Sequence, residues 1–288
     1  MITGFAFSPV GLLLPYHLGA LAALSYHGYV TDSTPIAGSS AGAIAVAAHA
    51  AGVPSRTALE ASIHVSSQCN PLFLARGGLL KSLGHEMDKL FPTYAHEVVN
   101  DRPGLTGLAH REIFPDNHPV LATSFETRDC LMDAVMDSSM FPYFTSNRPA
   151  RAVWRHNESA PRIVVDGFFA YPMQRIGVPD FDSASTVEAS DGDQPARVKS
   201  SSSVDRTIIV SCFPRQMLSL TTTPRENMIG PDLEENNLVG QAAKLVYMAT
   251  QSTPRRELTA LYDSGWSDTE KWISKERRRE RIVSRTQK

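Results

Sequence analysis

The order of apolar runs along this 288-residue chain predicts an α/β fold. The expected architecture is a mainly parallel central sheet covered on both faces by helices, in three layers α/β/α. Three observations carry the prediction. Ile2–Phe7, Ile163–Val165 and Thr207–Ser211 are short, apolar, β-branched-rich runs that read as buried strands. Helical patterns separate them, and a strand–helix–strand order favours parallel pairing through right-handed crossovers. Between Thr34 and Ala51 the chain reads as a strand entering a tight turn and leaving as a small-residue helix.

The elements follow in order. After the first strand, Ser8, Pro9 and Gly11 break the run. A helix is predicted over about Pro15–His27, with proline in its first turn, where the missing N–H costs nothing, and Gly28 as its stop. The second strand occupies Thr34–Ala37, the turn Gly38–Gly42, and the next helix Ala43–Ala51. Two or three helices lie between Ser55 and Val99, a strand at Val120–Phe125 and a short helix at Cys130–Met136. Residues 182–205, rich in Ser, Asp, Gly and Pro, read as a polar surface insertion. Helices close the chain near Leu233–Thr250, Pro254–Leu261 and Asp268–Arg281. The expected organisation is one domain over residues 1–275 and a basic tail over 276–288. No internal repeat is present.

Composition narrows the function. A net charge of −2 provides no global basic field, so nucleic acid is not an expected partner. Three cysteines at long spacings form neither a disulfide framework nor a zinc pattern and indicate a reducing, intracellular compartment. The apolar window Gly4–Leu24 approaches the length of a membrane span. No Lys or Arg precedes it, however, and Pro9 and Pro15 interrupt it. A cytoplasmic or peripheral membrane location is expected. Lys271–Lys288 carries eight Lys or Arg and two Glu, a solvated helix face or a contact for an anionic membrane, with Trp266 and Trp272 nearby.

The chemistry begins at Gly38-Ser39-Ser40-Ala41-Gly42, a G-x-S-x-G sequence set between strand and helix. Such a turn exposes a serine hydroxyl only if its neighbours are small, which Gly38, Ala41 and Gly42 are. The helix N-terminus that follows directs N–H groups toward charge developing on a substrate carbonyl oxygen. The plainer alternative is a small-residue turn that packs a helix on a sheet.

A serine nucleophile needs a base. The histidines are His17, His27, His49, His64, His85, His96, His110, His118 and His156, and none follows Asp166. The order serine, acid, histidine of an α/β-hydrolase triad therefore fits poorly. Asp166 is the better candidate. It ends the apolar strand Ile163–Val165 and precedes Gly167, and an acid there is costly unless it is paired or used. An ordinary Asp-Gly turn is the alternative.

Together these residues resemble the patatin-like phospholipase family. G-x-S-x-G at Gly38–Gly42 and the later Asp166-Gly167 match its two motifs. Tyr16–Gly19 resembles its helix after the oxyanion loop, Ser138–Pro142 its small-residue segment, and Leu261–Trp266 its C-terminal helix boundary. The resemblance spans roughly residues 2–275. It implies a lipid acyl hydrolase working through a Ser40–Asp166 dyad and an acyl-enzyme, on a lipid ester, with no cofactor and no metal. An acyltransferase on the same dyad, or a catalytically weak lipid-binding protein, are the alternatives. The implied oxyanion donors are backbone N–H groups near Val10, Gly11 and Ala41. The loop departs from the family's glycine-rich pattern: it reads Ser8-Pro9-Val10-Gly11-Leu12-Leu13-Leu14, with Leu13 at a basic position and Pro9 lacking an N–H. Phe168 replaces a small residue.

Overall fold

A computed structural model of the chain describes residues 2–69, 78–154, 160–172, 175, 177–181, 204–214, 223–231 and 238–286. Residues 182–203, most of the expected insertion, lie outside these. The fold is mixed α/β, with a central, mainly parallel sheet flanked by helices.

The strands are β1 (Thr3–Phe7), β2 (Ile36–Ser39), β3 (Thr106–Phe114), β4 (His118–Ala122), β5 (Arg151–Val153), β6 (Arg162–Val165), β7 (Arg206–Val210) and β8 (Met228–Ile229). Their order is β5-β6-β3-β2-β1-β7-β8, with β4 also on β3. The run from β3 to β8 is parallel, while β4, β5 and β6 join antiparallel. The helices are α1 (Leu14–Tyr26), α2 (Ala41–Ala50), α3 (Ser55–Ser67), α4 (Leu79–Leu90), α5 (Ala95–Asp101), α6 (Arg128–Ser138), α7 (Leu238–Thr250) and α8 (Arg255–Thr286).

Strand alternation sorts the core onto two faces. Phe5, Phe7, Ile36, Leu108, Ile208 and Val210 enter the large core under the helices. Their neighbours Ala6, Ala37, Ala109 and Ile209 face the other way and pack on residues of the 170–181 segment and on Leu121. Small side chains on that second face let the covering chain lie close to the sheet.

Register places the chain ends that matter. Ser39 lies opposite Ala109 in the parallel pair β2–β3, and Val165 lies opposite Arg111 in the antiparallel pair β3–β6. The residues that follow β2 and β6, Ser40 and Asp166, therefore converge from opposite sides on the level of His110. β3 is the ruler for this arrangement, and it is absent from the sequence-based reading.

Several boundaries differ from expectation, among them the strand expected at Val120–Phe125, which runs over His118–Ala122. α2 begins at Ala41, directly after the turn, instead of Ala43. The two closing helices are one, α8, which runs unbroken through Leu261–Trp266, where the resemblance placed a boundary. Gly265 does not end a helix. A Cβ there would lie 2.1 Å from the Tyr16 carbonyl oxygen, and one on Gly19 would lie 2.0 Å from that of Tyr262. The two glycines let α1 and α8 pack with their backbones nearly in contact. Trp272 is buried against Phe5 and Tyr29 and donates to the Glu226 carbonyl at 2.7 Å, so it belongs to the core. The window Gly4–Leu24 folds as β1, a 3-10 turn and α1. Among the described residues no helix is long and apolar enough to cross a membrane.

Candidate active site

Ser40 sits between β2 and α2 with φ 53° and ψ −123°, a left-handed conformation that is costly for any residue but glycine, roughly 1–3 kcal/mol. Tight neighbours hold it there. A Cβ on Gly38 would lie 2.3 Å from Gly42 backbone atoms, and one on Gly42 would lie 2.3 Å from the Phe7 carbonyl oxygen. The Ser40 N–H donates to Ser138 Oγ at 2.8 Å, and that hydroxyl donates to the Ala109 carbonyl at 2.5 Å. The turn is thus clamped to β1, to β3 and to the end of α6.

The Ser40 hydroxyl donates to Asp166 Oδ2 at 2.8 Å. Asp166 is fully buried. Its N–H donates to the Met140 carbonyl at 2.9 Å, and its Oδ1 accepts from the Phe168 N–H at 2.7 Å. Gly167 allows this packing, because a Cβ there would lie 2.4 Å from the Ala109 carbonyl. Burial pushes the carboxyl from 3.8 to about 7, against the opposing pull of the Phe168 N–H and the Ser40 hydroxyl. A carboxyl titrating near neutrality suits proton transfer at neutral pH.

Ser40 and Asp166 open onto a cavity of 390 Å³ with almost wholly apolar walls, supplied by α1, α2, α3 and α4. Val10, Gly11 and Ala41 also line it, so the three candidate oxyanion positions share the space with the serine. Gly11 has φ 57°, and a Cβ there would lie 2.4 Å from the Ala249 carbonyl of α7. The Leu13 N–H is taken by the Val10 carbonyl at 3.2 Å, and the Leu13 side chain is fully buried in the core. Phe168 lines the cavity and stacks edge-on with Phe141.

His17, which the sequence offered only as one of nine histidines and as part of Tyr16–Gly19, holds the loop beside the site. It is fully buried, its Nε2 lies 2.8 Å from the Ser8 carbonyl, and its ring meets Phe7 edge-on. Burial drives its pKa from 6.5 down to about 4, partly offset by the Ser8 contact. A neutral ring donating from Nε2 ties down the loop that carries Val10 and Gly11. Ser138 and the Met140 carbonyl belong to the segment singled out in the sequence, but their specific roles were not legible there. Among the described residues no group of three His, Cys, Asp or Glu is placed to hold a metal ion.

Fold and site together define a class: an α/β domain with a serine at a strained strand–helix turn, hydrogen-bonded to a buried aspartate beside an apolar cavity. Comparison with known proteins points the same way at a distance. A 154-residue alignment is 28% identical to 1-acylglycerol-3-phosphate O-acyltransferase PNPLA3 of Homo sapiens, a patatin-like phospholipase domain protein. It covers 50% of this chain and 30% of that protein, so the chain matches less than a third of the relative's length. No family model matches the chain.

Proposed function

We propose that this chain is a serine lipid acyl hydrolase in which Ser40 is the nucleophile and Asp166 its general base. The similarity to a named acyltransferase supports, in general terms, an enzyme acting on lipid acyl groups. The observation that carries the finer reading is the 2.8 Å bond from the Ser40 hydroxyl to a buried carboxylate at the wall of an apolar cavity.

Ser40 Oγ attacks the ester carbonyl carbon as its proton passes to Asp166 Oδ2. Backbone N–H groups at Ala41, Gly11 and Val10 receive the oxyanion. The alcohol leaves with the proton, and the acyl group stays on Ser40. Water then attacks, Asp166 takes one of its protons, and Ser40 is released with the free acid. The cavity takes the acyl chain. No metal or organic cofactor is needed for these steps. The catalytic unit covers residues 1–275, and the basic stretch 276–288 touches the anionic surface of a membrane.

Acyl transfer to an alcohol instead of water is the second reading, favoured by the acyltransferase name of the relative and by the apolar cavity walls. Incubating the protein with phospholipid, lysophospholipid and triacylglycerol, and reading the products by mass spectrometry, separates free acid from transferred acyl. A fluorophosphonate probe should label the wild type and not Ser40→Ala. Equal labelling of both would sink the dyad, and no labelling of either would leave a lipid-binding protein.

A further inference from the structure

Three buried serine hydroxyls near the turn, those of Ser8, Ser39 and Ser139, make no hydrogen bond to any described protein group. A buried hydroxyl without a partner loses its hydration and gains nothing in return, so each calls for a physical reason. Ser8 and Ser39 lie off the cavity. Ser139 lines it, together with Ser40 and Asp166.

Its place in the chain is telling. Ser138 accepts the Ser40 N–H through its hydroxyl, and Met140 accepts the Asp166 N–H through its carbonyl. Ser139 is therefore held between the two residues that touch the dyad, with its own side chain 4% exposed. It caps the C-terminal end of α6, where its N–H is used by the helix. The backbone is committed and the hydroxyl is free. The other lining residues next in sequence to the dyad and its holders, Ala41, Phe141, Pro142 and Phe168, have apolar side chains; the remaining polar ones, Ser62, Glu86, Tyr143, Thr145 and Thr250, lie further off in sequence.

We propose that the Ser139 hydroxyl holds the water that hydrolyses the acyl-enzyme, and so sets the balance between hydrolysis and transfer. The inference rests on the dyad reading. In deacylation the water oxygen bonds to the acyl carbon, one water hydrogen passes to Asp166 Oδ2, and the Ser40 Oγ–acyl bond breaks. Ser40 Oγ recovers the proton from Asp166, and the fatty acid leaves. Water has a second hydrogen, which needs an acceptor, and among the lining residues next in sequence to the dyad and its holders only Ser139 brings a side-chain oxygen. Ser139 Oγ supplies it. An alcohol has only one hydroxyl hydrogen, which goes to Asp166, so it gains nothing from Ser139. The residue is a positioning group that favours water over an alcohol.

The test is product partition. Wild type, Ser139→Ala and Ser139→Thr are given a p-nitrophenyl ester with increasing glycerol or methanol, and acid and ester products are quantified. Ser139→Ala should raise the ester-to-acid ratio at fixed alcohol at least about fivefold, the weight of one neutral hydrogen bond. The rate of fluorophosphonate labelling should stay within about twofold of wild type, because acylation does not use the water. Ser139→Thr, which keeps the hydroxyl, should return the ratio toward wild type. An unchanged ratio in Ser139→Ala overturns the inference, as does a loss of labelling equal to the loss of turnover. Wild-type protein that cleaves no ester would overturn the dyad reading itself, a distinguishable failure.

Discussion

Two neighbouring parallel strands, β1 and β2, leave the sheet at the same edge, and each leads into a helix beside the same cavity. After β2 the chain reverses at Ser40, and α2 starts with the very next residue. After β1 it takes the longer path Ser8–Leu13 before α1. The short turn is fixed by close backbone approach, Gly38 against Gly42 within the turn and Gly42 against the Phe7 carbonyl of the adjacent strand, with the Ser40 N–H tied to Ser138. The long loop contains bulky residues and is fixed from outside. His17 grips the Ser8 carbonyl, and the Ala249 carbonyl of α7 presses on Gly11. A strained nucleophile is stable where backbone packs closely against the glycines on both sides of it. A loop with a single glycine, Gly11, takes its shape from contacts with the helix that follows it and with α7.

The dyad gives the largest expected effects. Ser40→Ala and Asp166→Asn should each lower kcat on a short-chain ester by roughly 10⁴-fold or more, with the double variant little worse than either. Substantial activity in Ser40→Ala would remove the turn from the chemistry. Stability should move the opposite way at Asp166. Its carboxyl is raised to about 7 by burial, so its cost is absent below pH 3.8 and grows as pH rises through 7. That cost is of the order of 4 kcal/mol once the group is fully ionised. Asp166→Asn should therefore melt higher than wild type at pH 8 and at the same temperature near pH 4. Activity of the wild type should rise with pH through about 7. Thermal melts at the two pH values and a pH–rate profile check both signs.

The next contrast sets turn against loop. Gly38→Ala and Gly42→Ala each force a Cβ to 2.3 Å from backbone, and backbone cannot move aside as a side chain can. Each should cost roughly 2–4 kcal/mol in denaturant unfolding. Gly11→Ala also meets a carbonyl, but one belonging to α7, which packs at the periphery and can shift; a smaller loss, about 1–2 kcal/mol, is expected. Equal losses at all three sites would erase the distinction between inner and outer constraint.

The same distinction decides what could be read from sequence. G-x-S-x-G is legible because the small residues that the turn needs are contiguous with its serine, and Asp166 because an acid ending an apolar strand is conspicuous. β3 was not legible. His110, Arg111 and Glu112 break its apolar pattern, and only the fold reveals that the buried Glu112 meets Arg162 at 3.4 Å. β5 and β8 are too short to show a period. Leu261–Trp266 read as a helix boundary because the close approach of Gly265 to another backbone has no local signature. The partner of Gly11 lies 238 residues away, and nothing in either segment announces the other.

His17 gives a moderate effect. His17→Phe keeps the edge-on contact with Phe7 and removes the donor to Ser8. A buried carbonyl left unpaired costs about 1–3 kcal/mol. Loosening of the loop should lower kcat about tenfold while KM changes little, because the acyl cavity is untouched. The ring's pKa near 4 also sets a sign. Its contribution to stability is whole above pH 6.5 and fades as pH falls toward 4, so the stability deficit of His17→Phe should shrink on acidification. A deficit that grows on acidification would mean that the ring carries a proton in the fold.

Pro9→Gly is the mildest change and the sharpest test of a loop held from outside. Pro9 lines the cavity and has no N–H to donate. Its neighbours are anchored independently of it. The Ser8 N–H donates to the Val210 carbonyl at 3.0 Å, the Ser8 carbonyl meets His17, and the Val10 carbonyl accepts from Leu13. Glycine should cost up to about 1 kcal/mol through the freedom it gives the unfolded chain. It should leave the native path in place, because the anchors on either side define that path. The new N–H adds a possible oxyanion donor, so kcat on a short-chain ester should lie within about threefold of wild type, on either side. A tenfold fall with the melting temperature preserved would show that the proline ring itself shapes the loop. The constraint would then be local after all, and β1 and β2 would end in two versions of the same device.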